Sequence, residues 1–275
     1  MLTMLSLLLI SIPVGLLGSL TGLGGASILI PIMVSFGIPV KEAIACGMAS
    51  IIATSSGSAA SDMKNRIANP RLAMYLAMFT TVGAIGGATI TTWIAPVYLY
   101  FFFAAFLCTS FLRLRRKGRE IPTVIRESRF SGWLALKGSY FDRAAQQRVD
   151  YKVRNAFIGG GGMLIAGLAA GMLGIGAGAF KVTIQENVMH LPPKVSSATS
   201  NFIIGITALA GTSVYMYSGL LNITIMGPMA VGTALGGMLG GVLLGRIPDH
   251  SLRILFFVII IYIIIQMVMH GLAAV

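Results

Sequence analysis

Two glycine-rich stretches are the first candidates for chemistry in this sequence. One holds Gly22, Gly24 and Gly25, and the other holds Gly174, Gly176 and Gly178. Each lies inside a long apolar run, where glycine lowers helix propensity by about 1 kcal/mol per residue and permits backbone conformations that other residues avoid. A helix broken at membrane depth directs free N–H groups and partial positive charge at an anion. The two stretches therefore predict helix breaks that bind a small anion.

A cluster of small polar residues follows each glycine stretch, at the start of the next apolar run. The clusters are Cys46, Gly47, Ser50, Thr54 and Ser55 in the first half, and Ser196, Ser197, Thr199, Ser200 and Asn201 in the second. Hydroxyl and amide donors can replace the hydration shell of an oxyanion without trapping it as a buried Arg would. Alternatively, these hydroxyls bond back to their own helices or pack between helices.

The predicted substrate-binding set combines the two kinds of feature, and no catalytic residue or metal ligand is predicted. Its members are Gly22, Gly24, Gly25, Cys46, Ser50, Gly174, Gly176, Gly178, Thr199, Ser200 and Asn201. Asn201 is the strongest single candidate, because its amide needs a hydrogen-bond partner inside a membrane.

The composition indicates that these residues lie in a helical membrane protein. Of 275 residues, 56% are hydrophobic and only 10% are charged, and the mean hydropathy is +0.87. The apolar runs are continuous rather than alternating, which excludes an outer-membrane barrel. The only cysteines, Cys46 and Cys108, both lie in apolar stretches and provide neither a disulfide framework nor a four-ligand metal site. Residues 1–13 lack a basic start and a cleavage site, and are interpreted as part of a retained first helix.

A basic segment at residues 113–154 divides the chain. It holds twelve of the 20 Lys and Arg residues and four acids, so that it carries +8 of the net charge of +12. The positive-inside rule makes this segment cytoplasmic. It is interpreted as a solvated linker or as a surface helix that inserts Phe130, Trp133, Leu134 and Phe141 among lipid headgroups. Nucleic-acid binding is disfavoured, because the charge stands where membrane topology already requires it.

Residues 1–112 and 155–275 match as two internal repeats. Gly22–Gly25 matches Gly174–Ala177, Pro39–Lys41 matches Pro192–Lys194, Ala45–Gly47 matches Ala198–Ser200, Thr54 matches Thr207, and Gly86-Gly87 matches Gly236-Gly237. If the halves are inverted, only Lys41 among the basic residues outside the central segment lies on the outer side of the membrane, against five if they are not. The predicted fold is therefore an all-α polytopic membrane protein with two inverted repeats, each a broken-helix hairpin followed by three transmembrane helices.

Other glycines and the aromatic residues near the ends of apolar runs are interpreted from their positions in the sequence. Eight other glycines are expected to serve helix packing: Gly83, Gly86, Gly87, Gly232, Gly236, Gly237, Gly240 and Gly241. Trp93, Tyr98, Tyr100 and Phe101–Phe103 are expected in an interfacial belt, with Tyr215 and Tyr217 in a second one.

Residues 181–194 are interpreted as a cytoplasmic connection. Alternatively, Lys181 attracts anions to the inner mouth and Glu186 carries a coupling proton. Asp62 reads as a solvated helix end.

The order and duplication of these motifs resemble the TauE/SafE family of sulfite exporter-like permeases. In both halves a glycine-rich element is followed about fifteen residues later by a Pro and then by a small polar A-C-G or A-T-S turn. The resemblance covers nearly all of the chain except residues 113–154. It implies a secondary carrier with inverted repeats that exports small sulfur-containing anions, such as sulfite, thiosulfate or sulfoacetate, across the cytoplasmic membrane. Ala26-Ser27 and Ala177 depart from the glycine-richest form of the motif.

The expected function is alternating-access transport of such an anion by a multi-pass protein of the cytoplasmic (inner) membrane. No cofactor is expected, and the partners are the anion, the lipid bilayer and a possible coupling ion, H⁺ or Na⁺. The oligomeric state, the coupling ion and the particular anion stay open. One alternative is a passive anion channel. A membrane-embedded enzyme is disfavoured because His190, His250 and His270 are scattered and no pair of intramembrane carboxylates exists. The last alternative is a structural subunit of a larger assembly.

Overall fold

The chain is built almost entirely from helices, as predicted. The computed structural model describes residues 4–21, 25–64, 69–115, 137–142, 147–243, 261 and 264–272. The first half contains α1 (Met4–Thr21), α2 (Ala26–Ser35), α3 (Val40–Lys64), α4 (Pro70–Trp93) and α5 (Pro96–Arg115). The second half contains α6 (Ala156–Leu173), α7 (Gly178–Asn187), α8 (Pro193–Tyr217) and α9 (Ile223–Leu243), followed by helical residues 264–272.

The outer surface of the bundle is apolar. Met74, Met78, Val82 and Ile85 form an exposed stripe along α4 at helical spacing. An apolar stripe of this length would cause association in water, whereas it is what contact with lipid requires. Among the described helices, α4 and α6 are long and apolar enough on their own to cross a membrane. The fold is that of an all-α membrane protein.

The first helix of each half packs against the fourth helix of the other half. Gly15 of α1 lies against the backbone of Thr233 in α9, and Gly167 of α6 lies in the same way against the backbone of Thr80 in α4. A Cβ atom at either glycine would collide with the facing carbonyl oxygen. The two halves are therefore interlocked by matching contacts in which backbone meets backbone.

These contacts correct one detail of the predicted repeat. Gly236 lies against Ile12 and Leu16 of α1, and its counterpart in the matching contact is Gly83 of α4. The alignment of Gly86-Gly87 with Gly236-Gly237 is thus wrong by three positions. Several glycines in each helix allow more than one alignment, and only the packing contacts distinguish them.

The third helices of the two halves, α3 and α8, cross in the middle of the bundle. Gly205 of α8 lies beside Ser55 of α3, and Gly211 lies beside Met48. Residue numbers rise along α3 while they fall along α8, so these equivalent helices run antiparallel.

The basic central segment contains a β-hairpin, which the sequence analysis did not predict. Strands β1 (Lys137–Asp142) and β2 (Gln147–Lys152) pair antiparallel. Tyr140 and Tyr151 are buried against the first turns of α4, and Nδ2 of Asn69 donates to the Tyr151 hydroxyl at 3.2 Å. A surface helix through Phe141 is therefore wrong, because Phe141 lies in β1. Phe130, Trp133 and Leu134 lie outside the described residues.

Two adjacent glycines of α4 provide a matched test of the interlocking contacts. A Cβ at Gly87 would meet the carbonyl oxygen of Leu168, whereas a Cβ at Gly86 would find nothing within 4 Å. We expect Gly87→Ala to lower the free energy of unfolding by about 1–3 kcal/mol, since it overpacks a contact between backbones. Gly86→Ala should be neutral or stabilising by no more than about 1 kcal/mol. Thermal unfolding of both variants in detergent checks this, and equal midpoints would contradict the packing.

Candidate functional site

The glycine stretch of the second half interrupts the helix where the sequence predicts a break. α6 ends at Leu173 and α7 begins at Gly178. Gly174 and Gly176 have φ angles of 66° and 68°, and Ala177 has a φ of 48°. This left-handed conformation favours glycine, because a Cβ atom crowds the backbone there. The chain can therefore turn sharply between two helices without leaving the interior of the bundle.

Two carbonyl groups at the end of α6 contact hydroxyl groups of side chains from other helices. The hydroxyl of Tyr215 on α8 donates to the carbonyl oxygen of Gly171. Oγ1 of Thr91 on α4 lies 3.1 Å from the carbonyl oxygen of Met172, and the amide of Gly174 donates to Ala170 at 2.9 Å. A helix end buried in an apolar interior needs such donors, because water is not there to supply them.

Tyr215 is therefore not an interfacial belt residue, and that prediction is wrong. Its side chain is fully buried, while Tyr217, two residues later, is 95% exposed. The exposed ends of α4 and α5 carry Trp93 and Tyr98, as expected for a belt, whereas Phe103 is buried. Adjacent aromatic residues near a helix end can have opposite roles, because successive positions point to different faces of the helix.

The break lies at the crossing of α3 and α8. Gly174 lies against the carbonyl group of Ile44 on α3, and Gly176 lies between Ile51 of α3 and Ile204 of α8. One turn from Ile204, Oγ of Ser200 lies 3.5 Å from the carbonyl oxygen of Gly178. The structure thus brings together the three predicted glycines of the second half and the start of α8.

The helices that follow the breaks begin without side-chain caps. α7 is preceded by Ala177 and α2 by Gly25, and neither start receives a capping hydrogen bond from a side chain. Gly25 lies against Val14 and Gly15 of α1, so the chain folds back on α1 as a hairpin. Gly22 and Gly24 lie outside the described residues.

The predicted side chains of the first half point away from the 174–177 break. Sγ of Cys46 lies 3.6 Å from the carbonyl oxygen of Asn222, in the connection before α9. Oγ of Ser50 bonds back to the carbonyl oxygen of Cys46 at 2.9 Å. The carbonyl oxygen of Ser50 lies 3.4 Å from Oγ1 of Thr233. Cys46 and Ser50 therefore contact the α9 side of α3, whereas Ile44 and Ile51 face the break.

The predicted side chains of the second half divide between two faces of α8. Thr199 is fully buried, and its hydroxyl has no hydrogen-bond partner among the described residues; the same holds for Ser196. Asn201 is half-buried and lies one turn before Gly205, the residue that meets Ser55 of α3. Ser200 thus lies towards α7, and Asn201 lies towards α3.

Lys181 and Gln185 are polar residues of the site that the sequence analysis assigned to a cytoplasmic connection. That assignment is wrong, because both lie in α7 with no exposed surface. Nζ of Lys181 donates to Oγ1 of Thr207 on α8 at 3.0 Å, and Oγ1 of Thr207 lies 3.0 Å from Oγ1 of Thr80 on α4. The signal in the sequence is the i, i+4 spacing of Lys181 and Gln185 within an otherwise apolar helix face. Glu186 is half-buried, and His190 lies beyond the end of α7.

An open cleft of about 600 Å³ lies at the end of the bundle where α3 begins. Its lining includes Lys41 and Glu42 of α3, Pro96 of α5, and the connection from Gly219 to Ile223. Nζ of Lys41 is held by the carbonyl oxygen of Thr92 at 2.9 Å. Because Asn222 also contacts Cys46, the cleft reaches towards the predicted first-half residues.

Comparison with known proteins places the chain among membrane transporters. The family model described as "Sulfite exporter TauE/SafE" matches residues 7–267. The chain is 23% identical to the "Probable membrane transporter protein YunE" of Bacillus subtilis (strain 168), over 96% of this chain and 97% of that protein. It is 24% identical to the "Probable membrane transporter protein YdhB" of the same organism, over 94% and 95%. No solved structure matches the chain.

The hydroxyl of Tyr215 should stabilise the protein because it satisfies the end of α6. Tyr215→Phe leaves the carbonyl group of Gly171 buried without that donor, and we expect the free energy of unfolding to fall by about 1–3 kcal/mol. Tyr217→Phe is the matched control, because Tyr217 is exposed on the same helix. Thermal unfolding in detergent measures both. An unchanged midpoint for Tyr215→Phe would show that the break does not depend on this hydrogen bond.

Proposed function

Because the chain belongs to the sulfite exporter TauE/SafE family, we propose that this membrane transporter is a secondary carrier for small sulfur-containing anions such as sulfite, thiosulfate or sulfoacetate. The observation that carries the proposal is the buried break at residues 174–177, where an uncapped helix begins beside Ser200 of α8. The neighbouring Thr199 has a buried hydroxyl without a partner among the described residues. The protein works in the cytoplasmic membrane, which it crosses several times. Transport proceeds by alternating access.

The start of α7 has the features that an anion requires inside a membrane. The first amides of a helix have no partner within it, and the helix dipole makes its start partially positive. Thr199 adds a buried hydroxyl that no described residue satisfies, and Ser200 lies beside Gly178. An oxyanion has several acceptor oxygens, so it can pair with amides and hydroxyls at once. Gly22, Gly24 and Gly25 provide the corresponding break of the first half in this proposal.

Two observations support alternating access through inverted repeats. The equivalent helices α3 and α8 run antiparallel, as Gly205 beside Ser55 and Gly211 beside Met48 indicate. The two ends of the bundle also differ. The cleft is open beside Asn222, which precedes α9, whereas the corresponding Asn69, which precedes α4, is covered by Tyr151 of the β-hairpin. One open and one covered end is the arrangement expected of a carrier that has adopted one of its two states.

The proposal predicts that sulfur-containing anions stabilise the folded protein, since a ligand that binds only the folded state raises the unfolding midpoint by mass action. Thermal unfolding in detergent should be measured with sulfite, thiosulfate, sulfoacetate, taurine, sulfate and chloride. We expect a selective shift for one or more of the sulfur anions, corresponding to about 2.7 kcal/mol at a concentration of a hundred times Kd. The absence of a shift with every anion at tens of millimolar would exclude the proposed substrate class.

A matched pair of variants locates the binding. Thr199→Val removes the partnerless hydroxyl next to Ser200 and should reduce the shift. Ser213→Ala on the same helix removes an exposed hydroxyl that bonds back to Leu209, and it should leave the shift unchanged.

Counterflow in proteoliposomes distinguishes the carrier from a passive channel. A carrier loaded with unlabelled anion accelerates the entry of labelled anion and saturates with concentration, whereas a channel does neither. Imposed H⁺ and Na⁺ gradients in the same vesicles identify a coupling ion.

A further inference from the structure

The interior of the second half contains a lysine without a counter-charge. The side chain of Lys181 is fully buried, and its only described partner is the neutral hydroxyl of Thr207. The ion pair that the described residues form joins Arg148 and Asp150. No carboxylate of the described residues is therefore paired with Lys181. A buried charge is strongly unfavourable unless an opposite charge or several hydrogen bonds compensate it. A charged Lys181 therefore requires a compensating group at this position.

Further polar atoms without partners lie on the same pair of helices. Both amide atoms of Gln185 on α7, and the hydroxyls of Ser196 and Thr199 on α8, are buried and make no hydrogen bond with any described residue. Most buried polar side chains in folded proteins are hydrogen-bonded. With Thr212, which lies further along α8, four residues of these two helices carry buried polar atoms that the described chain does not satisfy. Such atoms are available to a ligand.

These side chains lie on helix faces that are directed at each other. Lys181 and Gln185 are four residues apart and share a face of α7, and the contact of Lys181 with Thr207 directs that face at α8. Ser196 and Ser200 are four residues apart and share a face of α8, and the contact of Ser200 with Gly178 directs that face at α7. The ammonium and the Gln185 amide therefore border this interface, whereas Thr199 and Ser196 lie eight and eleven residues before Thr207 on α8, about 12 and 16 Å along its axis.

The first half shows that the fold itself does not need polar groups at these positions. α2 and α7 have ten residues each, and α3 and α8 have 25 each, so that positions can be compared directly. The residues that correspond to Lys181, Gln185, Ser196 and Thr199 are Leu29, Met33, Ala43 and Cys46, and all four are buried. An apolar interface is therefore sufficient for this pair of helices. The polar set of the second half serves another purpose.

We propose that Lys181 is the counter-charge of the transported anion, which binds between α7 and α8 beside Thr207, with the Gln185 amide as a further hydrogen-bonding group. This inference rests on the proposed function and extends it, because it assigns the substrate's charge to one residue of one half. An ammonium has three donors, of which Thr207 uses one. The remaining donors, together with the Gln185 amide, suit the acceptor-rich headgroup of a sulfite or sulfonate. A neutral solute would leave the charge uncompensated.

Lys181→Met tests the charge, because methionine removes the ammonium and suits an interface that is apolar in the first half. We expect the ligand-free variant to unfold at the same midpoint as the wild type or at a higher one. The affinity for the sulfur anion, measured from the thermal shift, should fall by roughly ten- to a hundredfold, the usual effect of losing a charged hydrogen bond. Leu29→Met, at the corresponding position of the first half, is the control and should retain the wild-type affinity.

Gln185→Met is the second variant, and it carries the test if Lys181→Met does not fold. It introduces the residue found at the corresponding position of α2, and it should also weaken anion binding at least several-fold. A lower ligand-free midpoint combined with an unchanged anion affinity, in whichever of the two variants folds, would show a purely structural role and overturn the inference.

The wild-type measurement distinguishes a failure of the counter-charge inference from a failure of the proposed function. If the wild type responds to sulfur anions and Lys181→Met responds equally, the proposed function stands and the counter-charge inference is wrong. If the wild type responds to no anion in either the thermal or the counterflow measurement, the proposed function fails and the inference fails with it.

Discussion

The break between α6 and α7 depends on which groups form hydrogen bonds with the free backbone carbonyls and amides at the two helix ends, because these ends lie in an apolar interior. The carbonyl end is satisfied by the protein itself, since Tyr215 and Thr91 donate to Gly171 and Met172. The amide end is different, because α7 starts without a side-chain cap. One side of the same discontinuity is thus fixed by neighbouring helices, while the other retains donors for a ligand. A membrane interior makes this difference important, because water cannot replace the absent partners there.

The two halves share a backbone arrangement but use different side chains within it. Thr207 of α8 meets Thr80 of α4 across the boundary between the halves, and the corresponding positions are Thr54 of α3 and Thr233 of α9. Around this common frame the second half adds Lys181, where the first half has Leu29. A symmetric scaffold can therefore carry an asymmetric site. The backbone contacts determine where a ligand could lie, and the side chains of one half determine its charge.

The sequence was sufficient for features that depend on local chemistry. Continuous apolar runs predicted the helices, and the Gly174–Gly178 spacing predicted the break, because glycine relaxes a local backbone constraint. The sequence was not sufficient for features that depend on which surfaces pack together. Lys181 in a short helix with polar neighbours resembles a solvated connection until packing buries it, and the face to which Tyr215 points is set by tertiary contacts. The β-hairpin was not predicted, because the Tyr and Val residues that alternate in its strands stand among many charged residues.

The interlocking of the halves constrains how this protein can move. A repeat that rocked as one body would separate Gly15 from Thr233 and Gly167 from Thr80, contacts in which backbones touch directly. Close packing of this kind is lost abruptly rather than gradually. The moving bodies that this packing allows are therefore mixed pairs, α1 with α9 and α4 with α6, each containing one helix from either half. Motion between such pairs leaves the tight contacts intact and falls on the crossing of α3 and α8, where the 174–177 break lies. A change of access and a change at the binding site would then be the same displacement.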